Sequence, residues 1–433
     1  MAAPDLKANL IGMVRAGQGV PLKTGKPLTG SSLGSCKSGW YETLPRGVAC
    51  LNDLSTLDRD DVRVAAARLA LPDTSRALPF NVGTSIGAPM YARIPTRKEQ
   101  LQREPGLEAY LARPATASDP EDGAIDARPS NNPVPPELTR YFAAAKPRLL
   151  ADDSAYAERK IAWSREFDAE GRTWLLTADM GLVPKDKVRQ KATPQLQGVD
   201  LAAPGAPKLP LAFTWLGDVK RFKRDASGTL VDTGEVWPRH TYFEVTTQST
   251  RGPGGMFWKT TDDHYVRNDQ VSMIKVRDGG RPPSVKAKDK WIHVRVTWGY
   301  LVAYEGDKPV YTAAISPGVD GINARSQGHN TKQGIHTVGW KLFSADMSGV
   351  DKAKEWAVDE VPFVGYYKES YGLHGAYWHD EFGRPKSHGC INLAPKDAKW
   401  MFGWMDPAMP EGWYAVAAAP GMGVPFTWVD VRP

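Results

Sequence analysis

No helix or strand can run through Gly279-Gly280-Arg281-Pro282-Pro283. The prolines fix φ and lack an amide donor, and the glycines pay extra backbone entropy in any regular element. The cluster therefore breaks any regular element and reads as the best domain boundary in the 433 residues. On its C-terminal side the apolar residues alternate. Residues 291–297 and 300–304 read as paired strands around Trp298-Gly299, residues 305–309 as a turn, and residues 310–316 as a third strand. The supply of 41 Gly, 35 Pro, 15 Trp and 15 Tyr suits loops and β-structure better than helical bundles.

The N-terminal side divides further. Residues 1–35 are polar and aperiodic and are expected to be flexible. Residues 36–78 form a short cysteine-bearing segment, with a brief helix expected within 60–69. Residues 79–195 read as a β module with strands near 89–95, 172–177 and 181–188. Its stretch from 113 to 136, rich in Pro, Ala, Asp and Asn, reads as a long loop or insertion. A second β module, 205–283, closes on residues 263–271 much as the first closes on 181–188.

Lys and Arg number 55 against 49 Asp and Glu, a net charge of +6. That mild excess permits attraction to an anionic polymer such as a cell wall. No basic stripe interleaved with aromatics is present, so nucleic acid is not the expected partner. No run of 18 apolar residues exists, so the chain is not expected to span a membrane. The three cysteines partition unevenly. Cys36 and Cys50 lie close together, and Cys390 is alone. One short-loop disulfide and one free thiol is the natural reading, implying an oxidising compartment; two unpaired buried thiols are the alternative. Residues 33–36 look like a lipoprotein cleavage box, but the polar run before them excludes it, and residues 1–5 do not open a signal peptide. If exported, the sequence is expected to be a mature or trimmed form.

Chemistry concentrates around Cys390, in Ser387-His388-Gly389-Cys390-Ile391-Asn392, with His374-Gly375 upstream. A cysteine nucleophile needs a base or a positive environment to form the thiolate, a third group to orient that base, and backbone N–H groups facing the developing oxyanion. His374 or His388 can take the proton, and His374 is preferred because a histidine from another strand can meet the sulfur in line. Gly389 leaves the backbone unobstructed. His379 reads as an exposed loop residue or substrate contact, and His329 and His336 as turn and strand residues. His374, His379, His388 and Cys390 offer zinc donors, but no His-x-x-x-His or Cys-x-x-Cys pairing supports a metal site.

The string from His374 to Asn392 resembles the signature of the L,D-transpeptidases with a YkuD-type catalytic domain: His-Gly, a gap, then Ser/Thr-His-Gly-Cys, a hydrophobic residue, and Asn or Arg. The matching residues are His374, Gly375, Ser387, His388, Gly389, Cys390, Ile391 and Asn392. A family turn reading Lys-Thr-Pro-x-Gly appears degraded at residues 329–335, without its proline. The resemblance covers about 288–433. The closing strings at 181–188 and 263–271 are similar, over a short stretch, to the end of bacterial Src-homology-3-like barrels. Together these resemblances imply a mainly β protein, with two small β-barrel modules before a β-sandwich-like catalytic domain.

The resemblance further implies Cys390 as nucleophile, His374 as general base, the Gly375 carbonyl holding the imidazole, and the Gly389 and Cys390 amides as the oxyanion hole. Ser387, His388 and Asn392 would shape the site, and Tyr377 and Trp378 would line it. The implied substrates are peptidoglycan stem peptides. The thiolate attacks the carbonyl of stem residue three, D-alanine leaves, and an acceptor amine resolves the thioester to crosslink two third residues. No metal or organic cofactor is implied. Water as acceptor (an L,D-carboxypeptidase) and an inactive wall-binding scaffold are the alternatives. The expected location is periplasmic or extracellular, associated with the cell wall.

Overall fold

The computed structural model describes all residues except 29–35, 37, 53–54, 113–123, 127, 322–327, 352–353 and 419–420. Half of the expected Pro-rich insertion, and the last residues of the expected flexible segment, lie outside the described residues. The protein is mainly β, with 40% strand against 11% helix. It divides into two compact units. One comprises Met1–Thr193, Leu342–Pro362 and Met409–Ala417; the other comprises Pro194–Lys341, Phe363–Ala408 and Ala418–Pro433.

In the first unit, β1 (Asn81–Ser85), β2 (Ala88–Tyr91), β3 (Lys160–Ala169), β4 (Arg172–Thr177), β5 (Leu182–Pro184) and β6 (Val188–Gln190) pair antiparallel in the order β2-β5-β4-β3-β1-β6. All six residues of β4 are buried. Alternation explains this: Trp174 and Leu176 pack with Ala66, Leu138 and Phe167, while Leu175 packs with Ile161, Trp163 and Val183 on the opposite face. The first face is covered by α1 (Val62–Arg68), capped by the Asp61 side chain, and α2 (Pro136–Ala145), which starts with proline where a missing N–H costs nothing. Arg172 at the head of β4 is buried between Glu104 and Asp186, 2.7 Å from each.

Two further features hold this unit. Gly12–Met13 pairs antiparallel with Val416 and Ala415. Arg15 then donates to Glu360 and, at 2.7 Å, to the Tyr414 hydroxyl. Strands Trp40–Glu42 and Val48–Cys50 form a hairpin bridged by the Cys36–Cys50 disulfide, a separation of 14 residues over buried Trp40. A loop of this size should contribute about 3 kcal/mol by restricting the unfolded chain. Reduction is therefore expected to raise amide exchange in the hairpin while leaving β3 and β4 protected. Thiol titration of the unfolded chain should find one reactive cysteine before reduction and three after it.

In the second unit, residues 211–274 build a seven-stranded antiparallel sheet in the order Leu230–Trp237, Val219–Arg224, Tyr265–Arg267, Gly255–Thr260, Tyr242–Gly252, Leu211–Thr214, Val271–Ile274. A 3₁₀ turn, Asn268–Gln270, joins two of its strands, just as Lys185–Lys187 joins β5 to β6.

The remainder of the unit carries the motif residues. β7 (Lys290–Arg295), β8 (Tyr300–Glu305) and β9 (Lys308–Ser316) form an antiparallel meander. β10 (Lys354–Lys368), whose residues from 363 onward belong here, pairs with β11 (Tyr371–Gly375). β11 runs parallel to β12 (Ile391–Leu393), and β12 joins β9 through Ile315↔Leu393. β13 (Trp428–Arg432) lies parallel to β7 and pairs antiparallel on its other side with Gly334–Thr337. Trp291, Tyr300, Val302, Tyr304, Ala314 and Phe382 fill the core beneath.

α3 (Pro395–Trp404) follows β12 directly and begins with proline. Its Asp397 is fully buried; the carboxylate accepts from Tyr311 Oη and Gly198 N–H, both at 2.6 Å, and burial pushes it up to about 7.

Candidate active site

The site is assembled by one ladder. β11 and β12 are parallel with His374 opposite Asn392 and Leu373 opposite Ile391, which places Cys390, one residue before β12, beside Gly372. Side chains two apart on a strand, and those directly opposite across a ladder, share a face. His374, Cys390 and Asn392 therefore stand together on one face. Tyr366 on β10 is opposite Gly372, and its ring lies over that glycine, 3.2 Å from where a β-carbon would be. The row Tyr366, Gly372, Cys390 thus carries a bare central position, and the aromatic ring reaches across it toward the sulfur.

His374 is buried, and its Nδ1 lies 3.2 Å from the Gly375 carbonyl. A carbonyl only accepts, so Nδ1 carries the proton and Nε2 presents a lone pair. Burial holds the imidazole down at about 4, so it is neutral across the physiological range. Cys390 is partly exposed. Its thiol faces the Ser370 carbonyl at 3.7 Å, and its crowded surroundings push its pKa up, opposed only by a bond from the Gly372 amide. Thiol and imidazole are therefore both neutral at rest. The same sulfur raises the hydroxyl pKa values of Tyr366 and Tyr367 above the usual tyrosine range, after their burial.

Ser387 holds the turn before Cys390. Its Oγ donates to the Cys390 carbonyl at 2.5 Å and accepts from the Gly389 N–H at 3.0 Å. The second bond involves one of the two amides expected to form the oxyanion hole. The Gly389 amide is already committed, whereas the Cys390 N–H has no partner among the described residues. Gly389 has φ +126°, and a β-carbon there would sit 2.6 Å from the Tyr371 ring and 3.2 Å from the Asn330 carbonyl. The segment is fastened to the end of β9 by Lys386 and Ser387 N–H bonds to the Pro317 carbonyl and by Val319 N–H to Ser387 O. Thr331, in the stretch that resembles the degraded family turn, accepts from Gly318 N–H at 2.8 Å.

The other expected residues divide. His388 is exposed, its ring edge-on to His329 at 4.7 Å. Tyr377 is buried and stacks edge-on against Trp378, whose half-buried ring is 6.0 Å from that of His374. His379 is not the exposed loop residue that the sequence suggested. It is buried, with Nε2 3.0 Å from Asn392 Nδ2 and Nδ1 accepting from Glu381 N–H at 3.2 Å. The loop that carries it folds inward on Ala376 and Phe382, both fully buried. Tyr366 and Tyr367 were not singled out from the sequence; their aromatic pair at the end of a β run, just before the His374 strand, is the signal that was available.

Comparison with known proteins agrees with this placement. The family model of the YkuD L,D-transpeptidase catalytic domain matches residues 289–421. A curated relative, the putative L,D-transpeptidase YciB of Bacillus subtilis (strain 168), is 27% identical over 150 residues; the match takes in 29% of this chain and spans 65% of the relative's length. Among solved structures, an L,D-transpeptidase from Mycobacterium smegmatis is 15% identical, covering 56% of this chain and 95% of its own, with a TM-score of 0.26. The catalytic domain of the E. faecium L,D-transpeptidase is 22% identical, covering 34% and 98%, with a TM-score of 0.25. Residues 289–421 therefore match the YkuD family of L,D-transpeptidase catalytic domains, and every residue of the site built above lies within that segment.

Proposed function

We propose that this chain is a peptidoglycan L,D-transpeptidase with Cys390 as nucleophile. The observation that carries the reading is the pairing of a neutral His374, its Nδ1 proton spent on Gly375 and its Nε2 lone pair free, with a partly exposed thiol on the adjacent parallel strand. In this reading His374 Nε2 takes the Cys390 proton as sulfur attacks the carbonyl of stem residue three. The Cys390 N–H donates to the oxyanion. D-Alanine leaves with the proton from His374, giving a thioester. An amine from a second stem attacks the thioester, returns a proton to His374, and forms the crosslink between third residues. The substrate would place the reaction outside the cytoplasm, a setting in which the Cys36–Cys50 disulfide can persist. No described helix is long and apolar enough to cross a membrane. In the same reading, modules 79–195 and 205–283 position the wall polymer.

Incubation with tetrapeptide-stem muropeptides tests the proposal. Mass spectrometry should show D-alanine release and dimers joined through third residues. Tripeptides without dimers would make water the acceptor, and unchanged muropeptides would remove the enzymatic reading. Gly389→Ala should keep the fold but displace Tyr371 or the Cys390 turn. Acylation of Cys390 by a carbapenem, followed by intact mass, is expected to fall by about tenfold or more, since small misplacements at a reacting centre are costly.

A further inference from the structure

The proton count around His379 sets the orientation of the Asn392 side-chain amide. Glu381 N–H donates to His379 Nδ1 at 3.2 Å, so Nδ1 is an acceptor and the proton of the neutral ring must sit on Nε2. That Nε2–H faces Asn392 Nδ2 at 3.0 Å, a donor against a donor. Meanwhile Asn392 Oδ1, in a side chain only 2% exposed, has no partner. A half-turn of the amide removes the donor–donor contact, because Oδ1 then accepts from His379 Nε2–H, and it places the NH₂ group in the buried position that has no partner. The NH₂ group is left pointing away from His379. Asn392 stands two residues after Cys390 and opposite His374, so this buried donor belongs to the strand face those two residues share.

We infer that His379 is a positioning residue for the reaction: its Nε2–H locks the Asn392 amide with the NH₂ group turned toward the Cys390–His374 face. There it supplies a donor toward the negative charge that appears on sulfur and on the acyl oxygen during attack. Without the lock, the carbonyl end can turn to that face instead and oppose the same charge. The lock is built into the backbone. Glu381 supplies the selecting N–H, and its own carbonyl accepts from Ser316 Oγ at 2.6 Å on β9, which fixes residue 381 against the sheet. The charged and titratable groups that act on His379 are Lys386, Glu381 and His374, while Tyr366 and Tyr367 on β10 face Cys390. The consequence for acylation rests on the proposed function; the tautomer does not.

Two measurements on the full chain test the inference. Nitrogen-15 NMR of the imidazoles, with His379 assigned by its loss in a variant, should show a neutral ring protonated on Nε2. A ring protonated on Nδ1 would overturn the lock. The second measurement compares His379→Phe, which keeps ring bulk without a donor, with His379→Gln, whose amide can still donate to Asn392. His379→Phe should slow carbapenem acylation about tenfold, the scale of one misdirected hydrogen bond, and move the midpoint of iodoacetamide alkylation of Cys390 to higher pH. His379→Gln should recover most of both changes. Parental behaviour of His379→Phe, or a His379→Gln no better than it, overturns the inference. A parent that takes no acyl adduct, yet shows the Nε2 tautomer and the alkylation shift, overturns the functional proposal alone.

Discussion

Cys390→Ala is expected to take no carbapenem adduct and to form no crosslinked muropeptide, while the parent gains the mass of one acyl group. The effect should be total rather than graded, because no other group can replace the sulfur. The two remaining cysteines are tied to each other, and beside position 390 stand a buried imidazole and the Tyr366 and Tyr367 hydroxyls, both pushed up. The variant should fold. Position 390 is partly exposed, and alanine removes one sulfur that lies 3.7 Å from the Ser370 carbonyl and accepts from the Gly372 amide. Loss of adduct together with parental circular dichroism is therefore the expected pair of results. An adduct on the alanine variant would move the nucleophile elsewhere.

His374→Gln should lower the acylation rate about 10²- to 10⁴-fold, the range for removing a positioned general base. Glutamine keeps a polar group near the Gly375 carbonyl but offers no comparable base to sulfur. The pH dependence separates this role from simple packing. Because burial holds His374 at about 4, the parent should keep its acylation rate down to weakly acid pH and lose it only near that value. Alkylation should still climb above neutrality, since the thiol is pushed up rather than down. A site resting as a thiolate–imidazolium pair would show the opposite: alkylation already maximal at neutral pH.

The same burial links the site to stability. Between pH 6.5 and about 4 the unfolded chain binds protons at residues 374 and 379 that the native site refuses, so these two residues make stability fall as pH falls through that window. Asp397 acts in the other direction. Pushed up to about 7, it binds a native proton that the unfolded chain releases above its ordinary carboxylate value. The histidine contribution is therefore read as a difference: His379→Gln should lose less stability on acidification than the parent.

The chemistry was legible because its residues are contiguous. Residues 387–392 are a single turn and strand, and alternation alone puts Cys390 and Asn392 on one face. The strands 172–177, 300–304 and 310–316 were legible for a similar reason, since apolar alternation is a local property of sequence. His379 was misread because a polar residue soon after a strand normally lies in a surface loop, whereas Ala376 and Phe382 draw this loop inward. The bond from the Gly389 amide to Ser387 Oγ was not legible, because nothing local shows that this hydroxyl will turn back toward it. The pairing of Gly12 with Val416 was beyond reach, because register between segments so far apart depends on tertiary packing.

The parallel pairing of β11 with β12 has an evolutionary consequence. Parallel neighbours require a crossover long enough to return to the starting end of the sheet, and here residues 376–390 supply it. The spacing between imidazole and sulfur is set by ladder register and not by the length of that crossover. Its outer portion can lengthen, shorten or change composition while the reacting atoms stay where they are. Under the proposed function, selection for a different donor or acceptor can therefore act on the outer crossover as a separable part, leaving the chemical step unchanged.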